Sequence, residues 1–246
     1  MKIRYLLLFV MFLTGTMAKA GDLDTTKLHI FDGYTNTGYA RALERDGWPV
    51  NKLNTARQAG YLTDEEKNLV LAMNLIRHDP PRYARLYVYP QLQHFEGNIL
   101  HIPGKVPLRT QEGASAVREL YDELLETKPA PLFEPSEGLS RASADHAAYM
   151  KRTGSTDHEG QGGIPARASR HGRWVGSLAE NLQWGTTNAH DAIMSLMVDD
   201  GIPSRGHRVN ILNPEYTKVG VAIDEHPQWK LSYVIKYAAD FIEKQE

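Results

Sequence analysis

The C-terminal stretch of the chain constrains its fold most. Residues 219–223 and 231–241 are two extended runs separated by a polar piece, 224–228. In the second run Tyr233, Ile235 and Tyr237 alternate with Ser232, Val234 and Lys236, the period-two pattern of a strand. Two such runs across a short turn predict an antiparallel hairpin. A lone hairpin is marginal in water, so this one needs cover from elsewhere in the chain.

Helices supply that cover. Thr63-Asp64-Glu65-Glu66 is a capping box, a hydroxyl followed three residues later by a glutamate. Leu69, Ala72, Met73 and Ile76 follow at helical spacing until Asp79-Pro80-Pro81 stops the run. A short helical turn fits 82–87, and 88–109 reads as a loop-rich insert. Residues 114–126 carry Val117, Leu120, Tyr121, Leu124 and Leu125 on one stripe. Ser136 can cap a helix reaching Thr153, with Lys151 and Arg152 at its negative end and Gly154 as a left-handed stop. Asn188 can cap another, with Ala192, Ile193, Leu196 and Met197 inward, before Gly201-Ile202-Pro203. The glycine-rich piece 155–187 shows no helical period and reads as loops with short extended pieces. Residues 21–62 read as an N-terminal extension that wraps or precedes a domain spanning 63–246. Helices first and a hairpin last predict an α+β domain, with helices packed on a small antiparallel sheet.

The first twenty residues stand apart. Lys2 and Arg4 precede an apolar run over 5–13, and Ala18-Lys19-Ala20 has the small-x-small pattern that signal peptidase accepts. The run is too short to span a bilayer and has the three regions of a signal peptide, with cleavage expected after Ala20. An uncleaved N-terminal anchor is the other reading. The expected location is secreted or periplasmic, with no transmembrane segment after cleavage. Removing Lys2, Arg4 and Lys19, with no acid among them, takes the net charge from −2 to −5. Mild acidity argues against nucleic acid or an anionic membrane surface as the main partner. The chain has no cysteine, so it has neither disulfides nor a thiol-linked lipid anchor. Any metal site must use His, Asp, Glu and water, which favours zinc held by nitrogen and oxygen, or harder ions.

Six of the ten histidines fall between 146 and 226. Neither an HExxH nor a GxSxG motif joins them. His146 lies on the apolar face of its helix, four residues after Ala142 and seven after Leu139, and reads as structural. His171 sits in the glycine-rich piece, at a cleft edge or a plain surface turn. Three segments place polar residues beside structural punctuation: Gly154 to Gly160 around His158, Leu178 to Leu182 around Glu180, and Asp199 to Pro214 around His207. A glutamate between apolar residues needs a buried partner, and an imidazole is a natural one.

These segments resemble the motifs of the CAP superfamily, the cysteine-rich secretory, antigen 5 and pathogenesis-related proteins. The family's GENL block stands here as Ala179-Glu180-Asn181-Leu182, and its HR-N-IL-P block as His207-Arg208-Val209-Asn210-Ile211-Leu212-Asn213-Pro214. The following strand is Val219-Gly220-Val221-Ala222, and the first-helix pattern is Asn74-Leu75-Ile76-Arg77 with Pro80. The resemblance runs from about Thr63 to Phe241. Lack of cysteine aligns the chain with bacterial and protist members, and Ala179 stands where glycine is usual.

The resemblance implies an α-β-α sandwich with a cleft around a His-Glu-acid-His tetrad. Carried over singly, its members are His158, Glu180 and His207. Many members have a glutamate before the second histidine block, where this chain has Asp199 and Asp200. Continuing the 192/193/196/197 face reaches Asp200, which makes it the choice over Asp199. The alternative for both is a solvated helix end. Arg205 and Arg208 are expected to pair with one of the two. The expected function is a secreted binding protein whose cleft takes a divalent cation through His158 and His207, or a small, lipid-like or protein ligand. The alternative is a secreted hydrolase. It would use a metal-bound water with Glu180 as base, or a Ser204-His207-Glu180 set, though no nucleophile elbow surrounds Ser204. Whether the chain is an enzyme stays open at this point.

Overall fold

A computed structural model describes residues 27–244. The signal-peptide expectation for residues 1–20 lies outside them. The helices are α1 (Asn36–Arg45), α2 (Asp64–His78), α3 (Ala114–Glu126), α4 (Glu137–Thr153), α5 (Gly163–His171), α6 (Ala189–Val198) and α7 (Gly206–Leu212), with shorter turns between some of them. The main strands are β1 (Glu134–Pro135), β2 (Gly172–Trp184), β3 (Lys218–His226) and β4 (Lys230–Glu243).

The strands form one sheet in the order β1-β3-β4-β2. The expected hairpin is β3–β4, antiparallel from Lys218 opposite Ala238 to His226 opposite Lys230. Alternation sorts its side chains into two layers. Val219, Val221, Tyr233, Ile235 and Tyr237 enter one cluster with Leu69, Met73 and Ile76 of α2 and Ile193 and Met197 of α6. Ala222 and Val234 face the other way and pack with Ala147 and Met150 of α4. The domain is therefore α+β, with helices on both faces of a small sheet. The layer on the α4 side is tight. A Cβ on Gly220 would sit 2.1 Å from the Leu139 carbonyl carbon, so only glycine lets α4 lie on β3 there.

The helix signals read from the sequence correspond to real caps. Thr63 and Glu66 exchange both bonds of the capping box. Ser136 and Asn188 cap α4 and α6 through their side chains, and Gly154 is left-handed at φ 72°.

Two regions differ from expectation. Residues 155–187 hold a helix, α5, and a thirteen-residue strand, β2, in place of loops with short extended pieces. The register breaks between Val175 and Leu178, with Gly176 at φ 71°, so no clean alternation marks the strand. Pairing with β4, from Gly172 opposite Glu243 to Trp184 opposite Ser232, holds it in place. Upstream, Phe31, Tyr39, Leu43, Trp48 and Leu53 are buried in the same cluster as α2. Residues from 27 onward thus share the domain's core, with Asn36 donating to Asn68 at 2.9 Å and accepting from Asn54 at 2.9 Å. No described helix is long and apolar enough to cross a membrane.

Candidate functional site

β2 is an edge strand of the sheet, and consecutive residues on it point to opposite faces. Glu180 faces the α4 side, opposite Lys236 of β4; Asn181 faces the other side, opposite Ile235. His158 lies on the Glu180 side and His207 on the Asn181 side.

On the α4 side, the Glu180 carboxylate is fully buried and saturated with partners. His158 Nδ1 lies 2.8 Å from its Oε1, and His146 Nδ1 lies 3.2 Å from its Oε2. Arg167 Nη2 donates to both oxygens, at 3.0 and 3.1 Å, and Lys236 Nζ donates to Oε2. The side chains of His146, Arg167 and Lys236 are likewise fully buried. Burial alone would raise the Glu180 pKa. Hydrogen bonds from His146 and His158 and the charge on Lys236 outweigh it and hold the carboxyl far below the usual range. Burial also pulls the Lys236 ammonium down to about 8, against the opposing pull of Glu180. At neutral pH the pair is ionised on both sides.

The loop that carries His158 is fixed locally. Asp157 Oδ1 accepts from the Glu159 and Gly160 N–H groups at 2.8 and 3.2 Å, and Ser155 Oγ donates to Asp157 Oδ2 at 2.7 Å. These bonds, that from Ser155 first, lower the Asp157 pKa.

His207 lies on the other side, on the first turn of α7. Its Nδ1 is 2.7 Å from Asp199 Oδ1, and its backbone N–H donates to Asp199 Oδ2 at 3.0 Å. Asn181 Nδ2 donates to the His207 carbonyl at 3.0 Å and to the Tyr237 hydroxyl at 3.1 Å, and Asn181 Oδ1 accepts from Asn210 Nδ2 at 2.8 Å. The acid beside the second histidine is thus Asp199, in place of the expected Asp200. The helical projection fails because α6 ends at Val198. Asp199 turns left-handed, at φ 54°, which swings its buried side chain toward α7. Asp200 instead accepts from the Gln111 and Glu112 N–H groups at 2.7 and 2.8 Å.

The arginines also find other partners than those expected. Arg205 is bidentate on Glu112, at 2.7 Å for each bond, and reaches Glu119. Arg208 pairs with Glu119 and Glu123 at 2.9 and 2.6 Å. The Arg205 bonds, then the Gly201 N–H, hold the Glu112 pKa down to about 2. Arg205 Nη1 also donates to the Asp199 carbonyl at 2.8 Å, and the Asp199 carboxylate is left to His207.

Between the two histidines runs an open groove of about 430 Å³, lined by His158, Glu180, Ile202, Ser204, Gly206, His207, Val209 and Asn210. A larger hollow of about 700 Å³ near Tyr61, Arg141 and Glu243 shares no lining residue with it. The His158 and His207 side chains are 42% and 25% exposed, so both rings are reachable from solvent. Among the described residues neither Nε2 has a protein partner. Each Nδ1 faces an acid, the arrangement that orients an imidazole for ligation through Nε2. Imidazole nitrogen is a donor of the kind that zinc-type cations take. No group of three or more His, Cys, Asp or Glu among the described residues is disposed to hold a metal.

Other candidates fall away from the groove's chemistry. His146 never reaches it. His171 Nε2 pairs with Asp145 at 2.8 Å. Ser204 lines the groove but makes no hydrogen bond to His207. Sequence reasoning missed Arg167, on a helix it read as loop, and Lys236. The signal for Lys236 was present: it shares its face with Val234 and Ala238, an ammonium in a buried apolar row.

This is an α-β-α domain with a two-histidine groove across its edge strand. The cysteine-rich secretory protein (CAP) family model matches residues 50–237, well over half the chain, and the chain belongs to that family. It is similar to an outer surface protein from Borrelia burgdorferi, at 14% identity and a TM-score of 0.38, covering 55% of this chain and 98% of that one. It is also similar to an extracellular protein containing a SCP domain from Bacillus anthracis str. Ames. There the identity is 19% and the TM-score 0.35, over 54% of this chain and 38% of that one. No curated protein matches.

Proposed function

We propose that the protein is a secreted or periplasmic binding protein, exported by its first twenty residues, whose groove captures a divalent cation of the zinc type through His158 and His207. One observation carries this reading: each ring's Nδ1 is bonded to a buried acid while Nε2 is left to the groove. Both acids hold rings in place and are not themselves free to ligate. Glu180 in particular has both oxygens engaged by protein donors, so it offers no lone pair to activate a water. A cation held by two imidazoles keeps open positions for water or for a ligand atom. Such a site binds at around micromolar strength, far more weakly than a closed four-ligand site. Ile202 and Val209 beside the histidines give that ligand an apolar surface to lie on.

Calorimetry with zinc on chelator-free, untagged protein beginning at Gly21 tests the reading. His158→Ala and His207→Ala each remove binding; His146→Ala keeps it. Affinity falls on acidification, because protons compete for the imidazoles. Wild-type affinity in both single variants would exclude the two histidines as ligands.

A further inference from the structure

We infer that Arg167 is the positioning residue of the His158 half of the groove, fixing both where the ring sits and which nitrogen it shows. This rests on the reading of His158 as a ligand, but it has a test of its own.

The fully buried Arg167 guanidinium contacts two structures at once. Nη2 donates to both oxygens of Glu180 and to the His158 carbonyl at 3.0 Å; Nη1 donates to the Gly160 carbonyl. The same group therefore holds the backbone on either side of residue 159 and the carboxylate that receives the His158 ring. Charge balance alone does not require this, because Lys236 already sets a buried cation against Glu180. Nor can lysine reproduce it. An ammonium is a point donor, whereas the planar fork reaches carbonyls and carboxylate together from one rigid plane.

The consequence for the ring is chemical. The Glu180 oxygens accept from Arg167 and Lys236 and stand as acceptors toward His158 as well, so the Nδ1 facing them at 2.8 Å carries the proton and Nε2 keeps its lone pair. If the loop drifted from the carboxylate, the ring would lose the bond that selects this tautomer. His207 takes its orientation from Asp199 and Asn181, neither of which Arg167 touches, so it serves as an internal control.

The test is Arg167→Lys, which keeps the charge and removes the fork. The tautomers of His158 and His207 are read by nitrogen–proton correlation NMR on metal-free protein, and zinc binding by calorimetry. In wild type His158 is held as the Nδ1–H form. In R167K it becomes a mixture of tautomers while His207 is unchanged, and zinc affinity drops about tenfold. A single Nδ1–H form of His158 in folded R167K overturns the inference. If wild type binds no zinc at all, the metal reading fails while the tautomer result still decides the role of Arg167. If R167K does not fold, Lys236→Gln decides. It removes the other cation from Glu180 but leaves the fork, so His158 keeps its tautomer. Loss of that tautomer in K236Q means that charge on Glu180, and not the fork, positions the ring.

Discussion

Replacing Glu180 by leucine is the most revealing perturbation of this molecule. The substitution takes away a buried anion and strands two buried cations, Arg167 and Lys236, with the Nδ1 donors of His146 and His158. Breaking a buried ion pair from one side costs about 3–5 kcal/mol. Lysine has an escape open to it, since it can give up its proton. From its folded value of about 8, neutralising Lys236 at pH 7 costs about 1.4 kcal/mol at 1.36 kcal/mol per pH unit, which caps its share. Arginine has no such escape. A loss of about 4 kcal/mol in a domain of this size lowers Tm by roughly 8–16 °C. The assay is urea and thermal unfolding of wild type, E180L, Lys236→Met and the double variant. Removing both charges restores part of the loss, so the double variant is more stable than additivity predicts, by at least about 1 kcal/mol. A single-variant effect below about 0.5 kcal/mol, or strict additivity, would refute the buried-cluster argument.

Two further outcomes separate the parts of the domain. Asp199→Ala lowers zinc affinity by about tenfold or more by freeing the His207 ring, whereas Asp200→Ala leaves it unchanged, its work being to hold the 111–112 backbone; equal effects in calorimetry would contradict the assignment. Burial first, then His29 and Lys105, holds the His190 pKa down to about 3, so below pH 6.5 the unfolded chain takes up a proton that the folded one refuses. Stability therefore falls as pH drops from 6.5 toward 3, at up to about 1.4 kcal/mol per pH unit from this residue, and His190→Gln flattens the slope in unfolding curves between pH 4 and 6.5; parallel slopes would show that His190 is not the cause.

The sequence by itself determined what local rules govern. Helix ends were legible because caps act within three or four residues: Thr63 with Glu66, Ser136, Asn188, and Gly154 at a left-handed stop. The hairpin was legible because two differently packed faces impose alternation on 219–241. His158, Glu180 and His207 were found through a motif resemblance, and the fold brings Glu180 against His158 and all three to one groove. Only the tertiary structure decided the rest. Strand β2 exists because β4 pairs with it across a bulge, a long-range bond that leaves no period in the chain. Asp199 displaced Asp200 because one left-handed residue ends α6 before the helical projection reaches 200. The partners of Glu180 come from α4, α5 and β4, far apart in sequence, and a buried carboxylate's need for counter-charge does not say which residues meet it. Short-range hydrogen bonding writes itself into neighbouring residues; the balance of buried charge is settled only once distant elements have packed.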